Sequence, residues 1–393
     1  MADLEKAGLA ELRTGPFGTQ LHAHEYVDEG VPVINVRNLG WGNLRADTIE
    51  CIDATTAVRL EAHRLLPGDI VFGRKGAVDR HLLIGQGQAG WIQGSDCLRL
   101  RIKPSAVLPR FLSYALRTRD HVRWMENQCS HGATMASLNQ AIVSRIGFRL
   151  PDIGIQGRIA GILSAYDDLI ENNLRRVKIL EEMAQSLYKE WFVDFRFPGH
   201  ESVKMVDSPL GMIPETWEVN ALGKRIELMY GKSLVSKVRE EGPYPVYGSG
   251  GVVGQHAEYV VNGPGVIVGR KGNVGAVYWA DDPFFPIDTV YWVKTDLPLR
   301  YVYFNLKAQN FLNNDAAVPG LSRQQAYLLD LLVPADGVLG EFDRIVEPQF
   351  EVLRRLRQRN TVLRQTRDLL LPKLISGEID VSDLDIDVGE DAA

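Results

Sequence analysis

Apolar side chains recur at alternating steps of three and four residues through two long stretches of the chain. This spacing is typical of a coiled-coil seam, which buries a side chain about every 3.5 residues. In residues 155–192 the predicted seam positions are Ile159, Ile162, Tyr166, Leu169, Asn173, Leu180, Met183 and Leu187. Adding 183 to each number gives the second seam, at Phe342, Ile345, Gln349, Val352, Leu356, Leu363, Thr366 and Leu370. The pattern predicts two long helices in one register, and therefore a duplicated unit.

The segments before the two helices repeat as well. LPGDIVFGRKGAV at 66–78 corresponds to NGPGVIVGRKGNV at 262–274, and ATMASLNQ at 133–140 corresponds to AAVPGLSR at 316–323. Short β-branched runs closed by Gly or Asn predict strands in these segments, and helical spacing follows them. We therefore expect two similar globular segments of the α/β or α+β class.

These patterns divide the chain into six parts. They are a first globular segment (1–151), a first long helix (152–198), a linker (199–216), a second globular segment (217–334), a second long helix (335–377) and an acidic tail (378–393). The linker is inferred from its Pro, Gly, Ser and Asp content. Pro348 lies inside the second helix and lacks an N–H donor, so we expect a kink or a late helix start there.

Charge adds one qualification to this division. The formal net charge is −6, but residues 377–393 contain seven acids and no base, which leaves 44 Lys and Arg against 43 Asp and Glu elsewhere. We expect the tail to be disordered and the rest to allow local basic patches.

Cys51, Cys97 and Cys129 are far apart, as expected for reduced thiols in a cytoplasmic protein. Neither an apolar leader nor a span of about 18 apolar residues is visible.

The sequence offers no recognisable active site. GKS at 231–233 resembles the end of a Walker A loop, but Ile226 stands where the first Gly is required, so no phosphate cradle is expected. Lys232 of this stretch stays a candidate DNA contact. DDPFF at 281–285 is only faintly similar to the Asp-Pro-Pro-aromatic loop of adenine methyltransferases, and no glycine-rich cofactor motif accompanies it. The eight His residues show no metal-ligand spacing, so no metal site is predicted.

One short motif occurs in both globular segments: Gly-Arg-Lys-Gly, at 73–76 and at 269–272. Each copy follows a β-branched run, so each is expected on a tight turn at a strand end. The two copies of the motif contain four cations in all, which are Arg74, Lys75, Arg270 and Lys271. Such side chains suit contact with phosphates, and Arg can also bridge O6 and N7 of guanine. The alternative is a solvated turn whose glycines serve only the backbone shape, and recurrence keeps both interpretations open.

A second shared element precedes each helix. Its residues are Thr134, Leu138, Asn139 and Gln140 in the first segment and Ala317, Leu321, Ser322 and Arg323 in the second. Polar groups here either cap the following helical run or read a base edge. In the seam, Asn173 either fixes the coiled-coil register or lies at the surface. Trp191, at the end of the first helix, packs either on a partner subunit or within the chain.

Four stretches carry a resemblance to a known family: TGPFGTQL (14–21), LEEMAQSLYKEWFVDF (180–195), SPLGMIPETWEV (208–219) and RDLLLPKLISGEI (367–379). Together with the duplicated layout they resemble the specificity (S) subunits of type I restriction–modification systems, over essentially the whole chain. The resemblance implies that each globular segment is a target recognition domain and that the long helices form an antiparallel coiled coil.

The resemblance also implies a non-catalytic DNA-binding subunit of a bacterial defence system. It would recognise a bipartite double-stranded DNA target in the cytoplasm. Two methyltransferase (M) subunits, which use S-adenosylmethionine to methylate adenine N6, would assemble around it. Restriction (R) subunits, which translocate DNA and use ATP and Mg²⁺, would join for cleavage, and the chain itself would hold no cofactor. The rival interpretations are a stand-alone DNA methyltransferase and a coiled-coil scaffold whose globular ends bind protein.

Overall fold

The structure is a computed structural model that describes residues 1–45, 48–129, 136–311 and 320–386. It is a mixed α/β protein that divides into two compact units. Unit 1 comprises Met1–Glu171 together with Asn360–Ala393, and unit 2 comprises Asn172–Arg359. Each unit therefore contains one globular segment and part of each long helix.

The elements follow one another in a similar order in the two globular segments. In the first, the strands are β1 (Ala10–Thr14), β2 (Tyr26–Val27), β3 (Val31–Ile34), β4 (Trp41–Gly42), β5 (Glu50–Ile52), β6 (Ile70–Gly73), β7 (His81–Leu83), β8 (Ile92–Gln93) and β9 (Cys97–Ile102). The helices are α1 (Ala2–Lys6), α2 (Ala54–Arg59), α3 (Pro109–Ala115), α4 (Arg119–Cys129) and α5 (Gln140–Ser144). The first long helix, α6, spans Ile153–Phe192.

The second part of the chain begins with a hairpin. Its strands are β10 (Met205–Ser208), β11 (Gly211–Pro214), β12 (Glu218–Ala221), β13 (Ile226–Tyr230), β14 (Tyr244–Gly248), β15 (Gly251–His256), β16 (Gly265–Gly269), β17 (Val277–Ala280), β18 (Phe285–Pro286), β19 (Val290–Thr295) and β20 (Asp330–Val333). The helices are α7 (Leu299–Ala308), α8 (Arg323–Tyr327) and the second long helix, α9 (Asp336–Ser376).

The sheets show that the duplication extends to the fold. Unit 1 has a sheet in the order β1-β9-β6-β7-β4, and unit 2 has one in the order β13-β19-β16-β17. The neighbours in both runs are antiparallel, except that the short edge strand β4 pairs in parallel with β7. Beside them, β3 pairs in parallel with β8, and β14 pairs in parallel with β18. The predicted class, two similar α/β domains with two long helices, is confirmed.

Strand β9 is buried on both of its faces, although apolar and polar residues alternate along it. Arg99 lies in the middle of that strand and is buried. Its guanidinium donates to Glu11 at 2.9 Å and to the carbonyl oxygens of Ala62 and Arg64. A buried cation is tolerated here because a carboxylate and two carbonyl groups replace its water.

In unit 1 the two long helices run antiparallel. The side-chain amide of Asn360 donates to the carbonyl oxygen of Ile170 at 3.3 Å, and Arg367 pairs with Asp167. Asp167 also accepts hydrogen bonds from Tyr114 and Arg117 of the globular segment. Burial by itself would raise the pKa of Asp167, but the charges of Arg117 and Arg367 outweigh it and hold the pKa below its usual range. This carboxylate therefore ties three elements of unit 1 together.

In unit 2 the helices are also antiparallel, and aromatic packing dominates. The rings of Phe192 and Phe342 lie 4.9 Å apart, and Trp191 packs on Phe342 at 6.0 Å. Trp191 is buried within the chain, so of the two interpretations offered for it the intrachain one holds. Further along the helices Arg357 of α9 donates to Glu181 of α6.

The seam of the helices lies one residue later than predicted at several positions. Leu169 and Val352 are 41% and 38% exposed, whereas the following residues, Ile170 and Leu353, are buried. Both helices carry adjacent apolar pairs of this kind, and the 3.5-residue rule accommodates either member. Met183 is likewise 53% exposed, and Ala184 after it is buried. The other predicted positions are buried or half-buried; they are Ile159, Ile162, Tyr166, Asn173, Leu180, Leu187, Phe342, Ile345, Gln349, Leu356, Leu363, Thr366 and Leu370. Asn173 is thus a buried seam residue and not a surface one.

Three expectations about the connecting segments are corrected. α9 is continuous through Pro348, so the late start is wrong, whereas the kink stays a prediction. The predicted linker contains the β10–β11 hairpin, whose Ile213 enters the core of unit 2. The described part of the acidic tail is packed on unit 1, where Val381 is buried and Arg158 donates to the carbonyl oxygen of Leu384 at 3.0 Å. Apolar residues within these polar stretches supply the burial that composition alone understates.

Candidate nucleic-acid interface

The Gly-Arg-Lys-Gly motif of unit 2 forms a turn directly after β16. The backbone N–H groups of Arg270 and Lys271 both donate to the carbonyl oxygen of Thr289, at 2.9 and 3.1 Å. Gly272 has a φ of +80°, a conformation that favours glycine. Main-chain hydrogen bonds therefore hold the turn, and the Arg270 side chain adds one bond to the carbonyl oxygen of Asp288.

The motif of unit 1 forms the same kind of turn after β6. The backbone N–H of Arg74 donates to the carbonyl oxygen of Asp96 at 2.8 Å, and Gly76 has a φ of +74°. The ammonium group of Lys75 lies 3.2 Å from the Asp96 carboxylate, with both side chains about half exposed. The glycines do shape the backbone, as the plain structural interpretation requires. That role leaves the function of the Arg-Lys pair, which is repeated in both turns, unexplained.

The second shared element lies against this turn in both units. The N–H of Leu138 donates to the carbonyl oxygen of Arg74 at 2.7 Å, and the N–H of Leu321 donates to that of Arg270 at 2.8 Å. Isolated bridges join Lys75 to Ser137 and Lys271 to Gly320. Two motifs that are far apart in sequence thus form one loop face in each unit. Of the predicted residues of this element, Thr134 and Ala317 lie outside the described residues.

Helix capping is one role of this element. The side-chain oxygen of Asn139 accepts from the N–H of Ile142 at 2.9 Å at the start of α5. Ser322 holds the same place before α8, where its hydroxyl accepts from the N–H of Gln325 at 3.5 Å. The cap uses one of the two lone pairs of this oxygen, and the amino group of Asn139 is the donor that could reach a base or phosphate. Contact of Asn139 with DNA stays a prediction.

A third segment completes the face: the end of a strand that the sequence did not single out as shared. β1 and β13 occupy the same edge position in their sheets, and each is followed by a glycine. A Cβ on Gly15 would lie 1.9 Å from the carbonyl oxygen of Gly94, and one on Gly231 would lie 2.0 Å from that of Ile287. Gly231 of the GKS stretch is therefore required for close backbone approach. Lys232, which follows it, donates its backbone N–H to Pro286 and has an exposed side chain.

In unit 2 this arrangement produces a cluster of cations on an aromatic ring. Tyr230, the last residue of β13, is 50% exposed. The guanidinium carbons of Arg270 and Arg323 lie 5.1 and 5.0 Å from its ring centroid. Tyr291 packs beneath, 5.1 Å from Tyr230, and burial raises the pKa of Tyr291 to about 12, so it is a neutral phenol at neutral pH.

The same positions in unit 1 carry different chemistry. The side-chain amide of Gln140 donates to the hydroxyl of Thr14 at 3.2 Å and to the carbonyl oxygen of Leu12 at 3.5 Å. Gln140 corresponds to Arg323 and Thr14 to Tyr230, by their places in the repeated elements. The sequence gives only a weak signal for Thr14 and Tyr230, namely a strand residue followed by Gly. The number of residues that separates these two positions also differs from the offsets of the other two repeated motifs.

The loop faces offer cations, amide donors and exposed ring edges, which are groups that contact phosphates and base edges.

Among the residues that the structure describes, no cluster of three or more His, Cys, Asp or Glu could hold a metal ion. Asp281 and Asp282 of the DDPFF stretch pair with Arg357 and Arg354 of α9. Within the described ranges, no helix carries an apolar stretch long enough to cross a membrane.

Comparisons with known proteins point in the same direction. Residues 58–182 match the family model of the type I restriction modification DNA specificity domain. The type I restriction enzyme MjaIX specificity subunit of Methanocaldococcus jannaschii is 25% identical over 311 residues, 72% of this chain and 72% of that protein. The type I restriction enzyme HindI specificity subunit of Haemophilus influenzae is 28% identical over 130 residues, 33% of this chain and 28% of that protein.

The fold is shared with a solved structure. The crystal structure of a type I restriction–modification S subunit from M. genitalium matches with a TM-score of 0.58, covering 94% of each chain at 18% sequence identity. The resemblance to type I specificity subunits, inferred from the motifs at the helix ends, is confirmed. These matches support DNA sequence specificity as the function and give no support to a stand-alone methyltransferase or a protein-binding scaffold.

Proposed function

We propose that this relative of type I specificity subunits is the non-catalytic subunit that selects the DNA target of a restriction–modification enzyme. Unit 1 and unit 2 each read one part of a bipartite double-stranded target. The observation that carries the proposal is the pair of loop faces, which share one main-chain frame and differ in side chains. On this shared frame, unit 1 carries Gln140 and Thr14, whereas unit 2 carries Arg323 and Tyr230. Different side chains at the same positions favour two different half-sites, and hence an asymmetric target.

The eight candidate DNA contacts fit this proposal to different degrees. Lys75, Lys232 and Lys271 have exposed side chains on the loop faces and suit phosphate contact. Arg74, Arg270, Gln140 and Arg323 are half-buried or held by neighbours, and they suit base contact because their orientation is restricted. Asn139 is committed mainly to its helix cap.

We further propose that the chain assembles with methyltransferase and restriction subunits through its long helices. In unit 2 the α6 residues Leu174, Ile179 and Met183 are each about half exposed, and in unit 1 Val362 and Leu369 of α9 are more exposed still. Apolar side chains on the outward face of a paired helix suit burial against a partner. S-adenosylmethionine, ATP and Mg²⁺ would bind to those partners in the cytoplasm and not to this chain.

The test is co-expression of the full chain with the methyltransferase encoded beside it, followed by mapping of methylated adenines across the genome. We expect one asymmetric bipartite motif that disappears when this chain is omitted. Isothermal titration of the purified chain with S-adenosylmethionine should give no binding. Methylation without the chain, or cofactor binding by the chain alone, would contradict the proposal and favour a stand-alone methyltransferase.

A further inference from the structure

We infer that Arg323 reads a guanine in the half-site of unit 2 and that Tyr230 is the residue that positions it. This inference rests on the proposed function, because it names the base class that one of the two recognition units selects. It follows from how the Arg323 side chain is held and from what occupies the same positions in unit 1.

Arg323 is oriented by two aromatic rings. Its guanidinium carbon lies 5.0 Å from the ring centroid of Tyr230 and 5.9 Å from that of Tyr327. Tyr327 is itself fixed, because its hydroxyl accepts the N–H of Leu228 at 2.9 Å and its ring packs against Gly223, where a Cβ would lie 2.6 Å away. A guanidinium held over rigid rings loses little rotamer freedom when it binds a ligand.

The hydrogen-bonding capacity of Arg323 remains available. Within the described residues, its guanidinium takes part in neither a hydrogen bond nor an ion pair. Arg270, on the same ring, donates one of its N–H groups to the carbonyl oxygen of Asp288 at 2.8 Å. Arg270 is thus partly committed to the neighbouring loop between β18 and β19. The planar fork of Arg323, in contrast, can donate two parallel hydrogen bonds outward.

Guanine is the base that matches such a fork. Its O6 and N7 are two adjacent acceptors on the major-groove edge, and a bidentate Arg contact discriminates against other bases by about 1–3 kcal/mol. Adenine presents a donor at N6 beside the N7 acceptor, so it offers the fork only one acceptor. Arg323 lies on the loop face with the cations Lys232 and Lys271, which can hold the flanking phosphates.

The corresponding positions of unit 1 cannot provide this contact. Gln140 stands in place of Arg323, and its amino group is used on Thr14 and on the carbonyl oxygen of Leu12. Thr14, in place of Tyr230, provides no aromatic platform. Guanine selection through this position is therefore a property of unit 2 alone.

The experiment compares the wild-type chain with Arg323→Gln and Arg323→Lys. Each is tested in the co-expression methylation assay and, as the purified full chain, in selection from a randomised duplex pool. We expect the wild type to require a guanine at one position of the unit 2 half-site, which is the half-site altered by changing Arg270 and Lys271. Both variants should relax that position by about 5- to 150-fold and leave the unit 1 half-site unchanged. Arg323→Lys should retain overall affinity, since it keeps the charge.

Further variants test the positioning role. Tyr230→Phe, which keeps the ring, should behave as wild type, whereas Tyr230→Thr should weaken guanine selection less than Arg323→Gln does. The matched control is Arg355→Gln on α9, whose side chain is 75% exposed and, among the described residues, forms an ion pair only with Glu351 one turn earlier. This variant should change neither half-site. Thermal unfolding of each variant verifies that the fold is retained.

The outcomes separate this inference from the proposed function. A bipartite methylation motif that Arg323→Gln leaves unchanged, or changes equally at every position, overturns guanine reading and leaves the proposed function standing. A chain that directs no methylation, yet selects guanine-containing duplexes in a manner that depends on Arg323, overturns the proposed function and supports guanine reading. A wild-type chain that selects no sequence at all overturns both.

Discussion

Removing the two cations from one Gly-Arg-Lys-Gly turn should impair one half-site only. The perturbations are Arg74→Ala with Lys75→Ala in unit 1 and Arg270→Ala with Lys271→Ala in unit 2. Each turn is fixed by its glycines and by backbone hydrogen bonds, so the truncated turns should keep their shape. The loss should therefore reflect missing contacts to DNA and not a local collapse.

The magnitude follows from the two kinds of contact that a cation can make. An Arg that loses a bidentate base contact costs about 1–3 kcal/mol of discrimination, and each lost phosphate contact lowers the slope of log K against log salt by about 0.9. Lys75 lies 3.2 Å from Asp96, a pair that is about half exposed and so contributes little by itself. Truncating Lys75 leaves that carboxylate facing the phosphates, so the unit 1 variant should lose affinity through repulsion as well.

The assay has two readouts: genome-wide mapping of methylated adenines, and fluorescence anisotropy of the purified chain with a cognate duplex from about 50 to 200 mM salt. The matched control is Lys224→Ala with Arg225→Ala, another adjacent cation pair in unit 2. That pair precedes β13, whereas the loop face lies at its far end, so the control should leave the motif intact. Equal effects of the two double variants on both half-sites, or no effect, would refute the assignment of one turn to each half-site.

Two stability predictions test the packing of unit 1. Asp167→Ala removes the acceptor shared by Tyr114, Arg117 and Arg367 and should lower the free energy of unfolding in urea by about 3 kcal/mol. Asp368→Ala, which removes only the exposed partner of Arg367, should cost less than about 1 kcal/mol, and equal losses would contradict the role given to Asp167. Burial lowers the pKa of His81 to about 3, so His81 should destabilise unit 1 as pH falls from about 6.5 towards 3, by about 1.4 kcal/mol per pH unit. His81→Leu with Ser113→Ala should reduce this acid sensitivity in hydrogen exchange of β6 and β7, and an unchanged pH dependence would count against it.

Much of the fold could be predicted from spacing alone. A constant offset of 183 residues between the two heptad patterns required two equivalent helices, and the structure has them as α6 and α9. The repeated strand and turn motifs predicted two similar domains, because a β-branched run closed by Gly favours a strand that ends in a turn. The topologies of the two main sheets agree with that expectation.

The seam shows where spacing stops being sufficient. Leu169 and Ile170 are both apolar, and the choice between them depends on what each side chain meets after folding. Trp191 illustrates the same limit, since an aromatic residue at a helix end suits a partner subunit and the chain's own core equally well. Only the contact with Phe342 decides between the two.

The candidate interface was predictable in part. Arg74, Lys75, Arg270 and Lys271 were identifiable because the whole motif repeats, and Arg323 and Gln140 because they share one offset. Tyr230 and Thr14 were missed because insertions and deletions between the repeats give that strand end a different offset. Their place beside Arg323 and Gln140 is a contact between residues far apart in sequence.

The sequence by itself determined the duplication, the two long helices and the turns rich in cations, because these depend on local spacing and on the backbone preferences of Gly and β-branched residues. The tertiary structure decided which face of each helix is buried and which three segments form one loop face. It also decided that an exposed tyrosine would hold an arginine in place. Those properties depend on long-range packing, where apolar area and hydrogen-bond partners come from distant parts of the chain, and no local pattern encodes which of several suitable residues will meet.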